Sequence, residues 1–305
     1  MGLKMTSEPA ARRFVIAGQD FQAPRQGPGL YLVATPIGNL RDVTIRALET
    51  LAGADVIACE DTRVTRKLLD HYGIATSLTP YHDHNAASAR PKLLSRMASG
   101  QAVALVSDAG TPMISDPGFK LVRAARDAGH IVTSLPGPSA SLAALTNAGL
   151  PTDRFFFEGF LPAKAGQRKE RIGELARIPA TLVLFESGPR LADTLSALAA
   201  GFGERQAAVC RELTKLHEEV RRGVLPALAA DYAEGAETRG EFVVVIAPPA
   251  PAETRAEELD DLLRRALARV SVKEAVGEVA LATGKPRREV YARALELAKD
   301  AHAGR

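Results

Sequence analysis

Leu30-Tyr31-Leu32-Val33-Ala34-Thr35-Pro36-Ile37-Gly38-Asn39-Leu40 is the stretch on which the reading of this chain turns. A short apolar run rich in strand-forming residues passes directly into a small, polar, uncharged segment containing Pro36 and Gly38. Such a junction reads as a β-strand whose carboxyl end opens into a βα turn. The same pattern then repeats. Apolar runs at 30–34, 55–59, 77–80, 103–106 and 131–135 alternate with amphipathic stretches near 43–52, 64–72, 86–98, 117–128 and 139–148. Gly53, Gly73, Gly100 and Gly129 stand where helix-ending glycines belong. Strands and helices taking turns imply parallel strands joined by right-handed crossovers. Residues 30–150 are therefore expected to form an open α/β domain.

Beyond Pro151 the pattern changes. Runs 155–157, 181–186, 207–211 and 242–246 read as strands, with 218–223 as a further one, and 166–176, 189–200 and 224–233 read as helices. A second α/β domain with a mixed sheet is expected over 151–248, with 161–167 as a mobile loop. The run Pro248-Pro249-Ala250-Pro251 is a linker. Three helical stretches follow near 254–269, 272–283 and 286–299, a helical module over 254–305. Ser271 with Glu274 forms a capping box, Gly284 fits a helix stop, and Pro286 fits the next first turn. The module is either a structural cap or an RNA-contacting element. Residues 1–29, punctuated by Gly18, Pro24, Gly27, Pro28 and Gly29, read as a flexible tail.

Composition bounds the class. In 305 residues, hydrophobic side chains make up 46% and charged ones 25%, the proportions of a globular chain rather than a disordered or fibrous one. No apolar run approaches the ~20 residues of a membrane helix, so no membrane is expected as a partner. The first 29 residues lack an apolar signal core, and the two cysteines, Cys59 and Cys210, sit in apolar stretches as ordinary thiols. The expected location is the cytoplasm. Residues 30–249 carry 24 basic and 24 acidic side chains, so overall charge announces no nucleic-acid partner and local patches decide.

In open α/β sheets ligands sit beyond the carboxyl ends of the strands. Those loops are Thr35-Pro36-Ile37-Gly38-Asn39-Leu40, Glu60-Asp61-Thr62-Arg63, Tyr81-His82-Asp83-His84-Asn85, Ser107-Asp108-Ala109-Gly110-Thr111-Pro112 with Asp116-Pro117-Gly118, and Pro136-Gly137-Pro138-Ser139-Ala140. All are polar, rich in small residues and on one edge. Several chemistries are disfavoured by what the chain lacks. It has no Gly-x-Gly-x-x-Gly after the first strand and no Walker loop, against a nucleotide pyrophosphate. It has no Cys-x-x-Cys or His-x-x-x-His, against zinc, and no Gly-x-Ser-x-Gly elbow, against an α/β hydrolase. His82 and His84 suit hydrogen bonds at a loop rim better than a metal, so no metal is expected.

Residues 32–40, with Ala54-Asp55-Val56-Ile57 and the loops at 107–112 and 136–140, resemble the tetrapyrrole-methylase superfamily. Its members are class III, S-adenosylmethionine-dependent methyltransferases built of two α/β domains with the cofactor cleft between them. The loops at 60–63 and 82–85, Glu158-Gly159-Phe160-Leu161-Pro162-Ala163-Lys164 and Arg211-Glu212-Leu213-Thr214-Lys215 look like one branch in particular. That branch methylates the ribose 2′-oxygen of a cytidine in small-subunit (16S) ribosomal RNA. The resemblance runs over 30–247 and, less specifically, the C-terminal helices; residues 1–29 have no counterpart in it. Tetrapyrrole enzymes typically open with Gly-x-Gly-Pro-Gly and carry Gly-Asp-Pro at the later loop. Here these positions read Thr35-Pro36-Ile37-Gly38 and Ala109-Gly110-Thr111-Pro112, which speaks against a tetrapyrrole substrate.

The resemblance implies S-adenosyl-L-methionine contacts from Pro36, Ala109, Gly110, Thr111, Ile114, Ser139 and Ala140 of the first domain, and from Glu186, Leu213, Glu241 and Phe242 of the second. Glu186, Glu241 and Phe242 lie at strand edges, where packing is an equal reading. A ribose hydroxyl is a poor nucleophile, so a general base within hydrogen-bond reach is expected. Asp61 and Glu60 are the candidates, with His84 behind them; alternatively Asp61 pairs with Arg63 or caps the helix that follows. Segment 161–177 carries Lys164, Arg168, Lys169, Arg171 and Arg177 against Glu170 and Glu174. Lys164, Arg168 and Lys169, joined by Arg190 and Lys215, are expected to meet RNA phosphates. The expected partner is small-subunit ribosomal RNA within an assembled 30S subunit, and the superfamily implies a homodimer. The competing readings are a tetrapyrrole-type small-molecule methyltransferase and a non-catalytic ribosome-assembly factor.

Overall fold

A computed structural model describes residues 12–250, 256–283 and 285–303. Contacts divide the chain into two compact units, Met1–Ala247 and Pro248–Arg305. In the first unit a hairpin of β1 (Arg13–Ile16) and β2 (Gln19–Gln22) precedes the alternating region. That region runs β3 (Gly29–Val33), α1 (Ile45–Gly53), β4 (Val56–Cys59), α2 (Thr62–His71), β5 (Leu78–Pro80), α3 (Ala86–Ala98), β6 (Ala102–Val106), α4 (Phe119–Asp127), β7 (Val132–Leu135) and α5 (Ala140–Ala148). Its strands lie in the order β5-β4-β6-β3-β7, and each pairing is parallel. Central strands of a parallel sheet are covered on both faces, which is why β4 and β6 are buried at every position.

The second sheet is built from β8 (Phe155–Phe160), α6 (Ala165–Leu175), β9 (Thr181–Ser187), α7 (Gly188–Phe202), β10 (Gln206–Arg211), β11 (Glu219–Val224), α8 (Leu225–Ala233) and β12 (Glu241–Ile246). Its order is β11-β10-β12-β9-β8, with β8 and β9 parallel and the remaining pairs antiparallel. The sequence expected this mixed sheet and its fifth strand. Helix α5 joins the two sheets: Ala144, Leu145 and Ala148 share one apolar cluster with Val183, Ala208, Cys210 and Val245 of the second sheet. Its amino end therefore faces the space between the two sets of strand-end loops.

Local signals explain most boundaries. Thr44 caps α1 by accepting the Ala47 N–H at 3.1 Å. Gly73, Gly100 and Gly129 take left-handed φ of +62°, +83° and +77° at helix ends, as expected of C-cap glycines. Gly53 serves a different purpose: a Cβ there would run into the Pro24 carbonyl oxygen.

That contact belongs to the N-terminal segment, where the expectation of a tail fails for residues 12–29. Phe14 is buried against α1 and α2, Val15 N donates to Tyr72 O at 2.7 Å, and Arg12 reaches Asp55 at 2.7 Å. These residues strap the first sheet's helical layer; residues 1–11 lie outside the described ones. Loop 161–167, expected to be mobile, is also anchored, since Leu161 is buried, its carbonyl accepts from Arg190, and α6 begins at Ala165.

The second unit holds α9 (Ala256–Leu267), α10 (Val272–Thr283) and α11 (Arg287–Ala303) around Leu263, Ala275, Val279, Val290 and Ala294. Ser271 Oγ and Glu274 make the expected capping box. A fork of two bonds from Arg293 to Asp260, 2.7 and 2.6 Å, ties α11 to α9. The expected stop at Gly284 and linker end at Pro251 lie outside the described residues. Among the described residues no helix is long and apolar enough to cross a membrane.

Candidate functional site

The strand-end loops of the first sheet are stitched to one another. Thr35 and Gly110 exchange two backbone hydrogen bonds of 2.9 Å, Thr111 Oγ1 donates to Pro138 O at 3.1 Å, and Gly137 packs on Ala34 too closely to admit a Cβ. Gly110 has φ +81°, a conformation that favours glycine. Met113 and Ser115 adopt φ of +74° and +65° without being glycine. Left-handed non-glycine backbone of this kind concentrates at binding sites.

These loops and the facing strands of the second sheet enclose a pocket of about 300 Å³. Ten of the eleven residues expected at the cofactor meet on its wall. Ala109, Gly110, Thr111 and Ile114 come from the loop after β6, and Ser139 and Ala140 from the start of α5. Glu186, Leu213, Glu241 and Phe242 come from the second sheet and its loops. Pro36 does not line it; its neighbour Ile37 does, because the turn stitched at Thr35 carries Ile37 inward. The sequence reading did not single out Ile37, Ser115, Asp116, Phe160, Phe185 and Cys210, which also line the wall.

The pocket's acidic residues are not alike. Glu186 is buried and committed: Ser187 N donates to it at 2.8 Å, Thr194 Oγ1 at 2.7 Å, and Arg190 stands 3.4 Å away. Glu241 points to solvent and pairs with Lys215 Nζ at 3.0 Å. Burial pushes the Asp116 carboxyl above the usual range, the Ser107 hydroxyl holds it back, and the Asp108 charge adds to the rise. Burial also pushes the Cys210 thiol to about 11, so it stays protonated. Pocket walls of Ile37, Phe185, Leu213, Phe242 and Val243 suit a flat apolar group, and the backbone and hydroxyls of 109–111 and 139 suit a polar one. That donor set fits a nucleoside sulfonium.

A second pocket of about 480 Å³ lies on the same sheet edge. Glu60, Asp61, Thr62 and Arg63 after β4, Pro80 at the end of β5 with His82 and His84 beyond it, and Asp108 after β6 line it. The base candidates therefore come together, but not in the first pocket. Asp61 is the N-cap of α2 and is gripped by Arg63, with bonds of 2.6 to 3.2 Å from its backbone and guanidinium. Those bonds hold its carboxyl at about 2, which makes it a feeble proton acceptor. The alternative given for Asp61 is what the structure contains. Glu60 accepts no side-chain hydrogen bond from any described residue; burial pushes its carboxyl up, and the charges of Asp108, Asp116, Asp83 and Asp61 add to the rise. His84 is exposed at the rim, its ring 6.0 Å from that of His82. Among the described residues no group of three His, Cys, Asp or Glu could hold a metal ion.

Of the expected phosphate contacts, Lys164 and Lys169 are exposed and Arg168 is half-buried. Arg190 is tied to Leu161 O at 2.7 Å and to Glu186. Lys215 is tied to Glu212 at 2.8 Å and to Glu241, and its stem crosses Gly38 so closely that no Cβ would fit there. These two are internal fastenings rather than free cations. Arg171, counted in the positive run, is taken by Glu158 and Glu174.

Comparison with known proteins agrees with this geometry. A family model described as tetrapyrrole (corrin/porphyrin) methylases matches residues 29–229, and one described as the RsmI C-terminal HTH domain matches 253–298. The chain is 54% identical over 274 residues to the ribosomal RNA small subunit methyltransferase I of Mesorhizobium japonicum, covering 88% of this chain and 92% of that one. It is 51% identical over 278 residues to the protein of that name from Erythrobacter litoralis, covering 91% and 98%. The chain belongs to the ribosomal RNA small subunit methyltransferase I family. Among solved structures, uroporphyrin-III C-methyl transferase of Thermus thermophilus complexed with S-adenyl homocysteine shares the fold. Its TM-score is 0.51 at 21% identity, over 72% of this chain and 97% of that one. The family's fold is therefore the one the strand-end loops announced. The family match begins at residue 29, so the strap over α1 lies before it.

Proposed function

We propose that this chain transfers a methyl group from S-adenosylmethionine to the ribose 2′-oxygen of a cytidine in small-subunit ribosomal RNA, acting on the assembled 30S subunit in the cytoplasm, as a homodimer. The observation that carries the reading is the meeting of ten expected cofactor residues, from two sheets distant in sequence, on one pocket wall. Membership of the family supports the substrate class.

When bound, S-adenosylmethionine supplies a methyl group on a sulfonium, open to attack by an oxygen lone pair. The chain's own work is positional and electrostatic. Ile37, Leu213 and Phe242 would hold the donor's apolar part, and backbone at Gly110 with the hydroxyls of Thr111 and Ser139 would hold its polar part. Placing acceptor and donor in line at ~3 Å removes several kcal/mol of barrier. Transfer forms the oxygen–carbon bond and breaks the carbon–sulfur bond, with S-adenosylhomocysteine as the leaving group, and the hydroxyl gives up its proton. Asp116 is the group assigned to take it, in place of Asp61. It lies on the wall of the donor pocket, and its raised affinity for a proton suits a general base. Lys164, Arg168 and Lys169 hold the RNA backbone from outside.

The test is label transfer from methyl-labelled S-adenosylmethionine to 30S subunits lacking the modification. Label on a cytidine ribose supports the reading. Donor binding without transfer points instead to a tetrapyrrole-type acceptor or a non-catalytic assembly factor.

A further inference from the structure

Glu60 is the carboxylate of the second pocket that has no partner. Its neighbours have theirs: Asp61 is held by Arg63, and Asp108 Oδ1 accepts the Asp61 backbone N–H at 3.0 Å. Glu60 is half-buried, and no described residue donates to it, while four other carboxylates bear on it. Its oxygens remain open to the pocket and uncommitted to any described side chain, so they are free to accept from a ligand that brings an N–H of its own.

The place of the pocket says which ligand part arrives there. The two pockets stand astride one strand. The loop after β6 gives Asp108 to the second pocket and Ala109 to the first. In the strand order β5-β4-β6-β3-β7, the second pocket takes its loops from β5, β4 and β6, and the first takes its first-sheet loops from β6, β3 and β7. If the first holds the methyl donor, a ribose presented to it at the β6 boundary projects its base into the second. This open cleft of about 480 Å³ has room for a single base turned out of its stack. The wall it meets, Glu60 with Thr62, Pro80 and His82, carries no cation except at the rim, where Arg63 extends into solvent with its side chain 88% exposed. Such a wall rejects a phosphate and accepts a base edge that donates.

We infer that Glu60 reads the acceptor base, accepting a hydrogen bond from the exocyclic amino group of cytosine, and so sets which nucleoside is methylated. The inference rests on the proposed methyl-transfer function and deepens it. Carboxylates are the side chains that take this amino group in direct base readout. Uracil, which has a carbonyl oxygen at the same position, meets the carboxylate oxygen against oxygen and is refused.

The test compares kcat/KM on 30S subunits carrying cytidine at the acceptor position with subunits carrying uridine there. The wild-type chain prefers cytidine by about ten- to hundredfold, the range for one well-made base contact. In Glu60→Gln the side-chain amide donates to uracil O4. The ratio then falls at least tenfold, transfer to the uridine subunit rises above the wild-type rate, and donor affinity is unchanged. A Glu60→Gln variant that loses rate on both substrates in proportion, or keeps the wild-type ratio, overturns the inference. A second measurement needs no variant: wild-type enzyme on a subunit carrying N4,N4-dimethylcytidine, which has no donor, drops as far as it does on uridine. Transfer to it at the cytidine rate also overturns the inference. Absence of any wild-type transfer to the cytidine subunit overturns the methyl-transfer reading itself, and this inference with it.

Discussion

Asp116→Asn tests the proposed proton acceptor apart from its neighbours. The substitution keeps the shape of the side chain and removes its ability to take a proton. General-base catalysis contributes about 10²- to 10⁴-fold, so single-turnover methyl transfer at saturating donor falls by that factor, about 3–5 kcal/mol of barrier. Loss of fold is not the cause, and linkage gives the sign. The folded-state affinity of Asp116 for a proton is raised, so this carboxylate weakens the fold as pH rises above 3.8, and at pH 7 the whole cost is present. Asn removes that cost together with the repulsion from Asp108, so the melting temperature at pH 7 is equal to or above that of the parent chain. The same reasoning fixes the pH profile. The parent rate falls tenfold per unit below the raised Asp116 value, on an acid limb displaced above 3.8, and the residual Asp116→Asn activity lacks that limb. Asp61→Asn is the companion, because Asn caps a helix as well as Asp does and the Asp61 carboxylate is already spoken for by Arg63. It keeps the parent rate. An active Asp116→Asn beside an inactive Asp61→Asn would refute the assignment.

Lys215→Met keeps the stem over Gly38 but frees Glu212 and Glu241, so the pocket mouth loosens. Donor affinity falls several-fold in a calorimetric titration, while the salt dependence of RNA binding stays as it was. Reversing Lys164 and Lys169 to Glu does the opposite: RNA affinity falls and the slope of log K against log salt drops by about two, with donor affinity intact. Gly188→Ala drives a methyl group into the backbone carbonyl of Thr238 at the start of α7, where nothing flexible can yield. Urea unfolding should show a loss of about 3 kcal/mol or more, the upper end of overpacking.

The fold was legible because its decisive strands are short, apolar and followed by small polar loops. Runs such as Ala102–Val106, buried at every position, leave little else for the sequence to mean. The hairpin at 13–22 was missed for a physical reason. Its strands are four residues each, β2 is wholly exposed, and its turn places Ala17 at φ +50° where Asn or Asp before glycine is the usual signal. Its alternation, Phe14 and Ile16 against Phe21 and Ala23, is too brief to read alone. Within the site, loop positions were legible and side-chain commitments were not. Asp116 stood in a quoted loop, but its burial comes from tertiary packing. The fates of Arg190 and Lys215 were set by Glu186 and Glu241, the latter 26 residues from Lys215 along the chain. The Asp61–Arg63 pair, two residues apart, was visible and proved to be the operative reading.

The most direct test of the account is transfer of labelled methyl from S-adenosylmethionine to purified 30S subunits that lack the modification, followed by mapping of the label. The account predicts label on the 2′-oxygen of a single cytidine, abolished by filling the first pocket with Ala140→Trp. Label on a base, on protein, or nowhere in a preparation that binds the donor would contradict it.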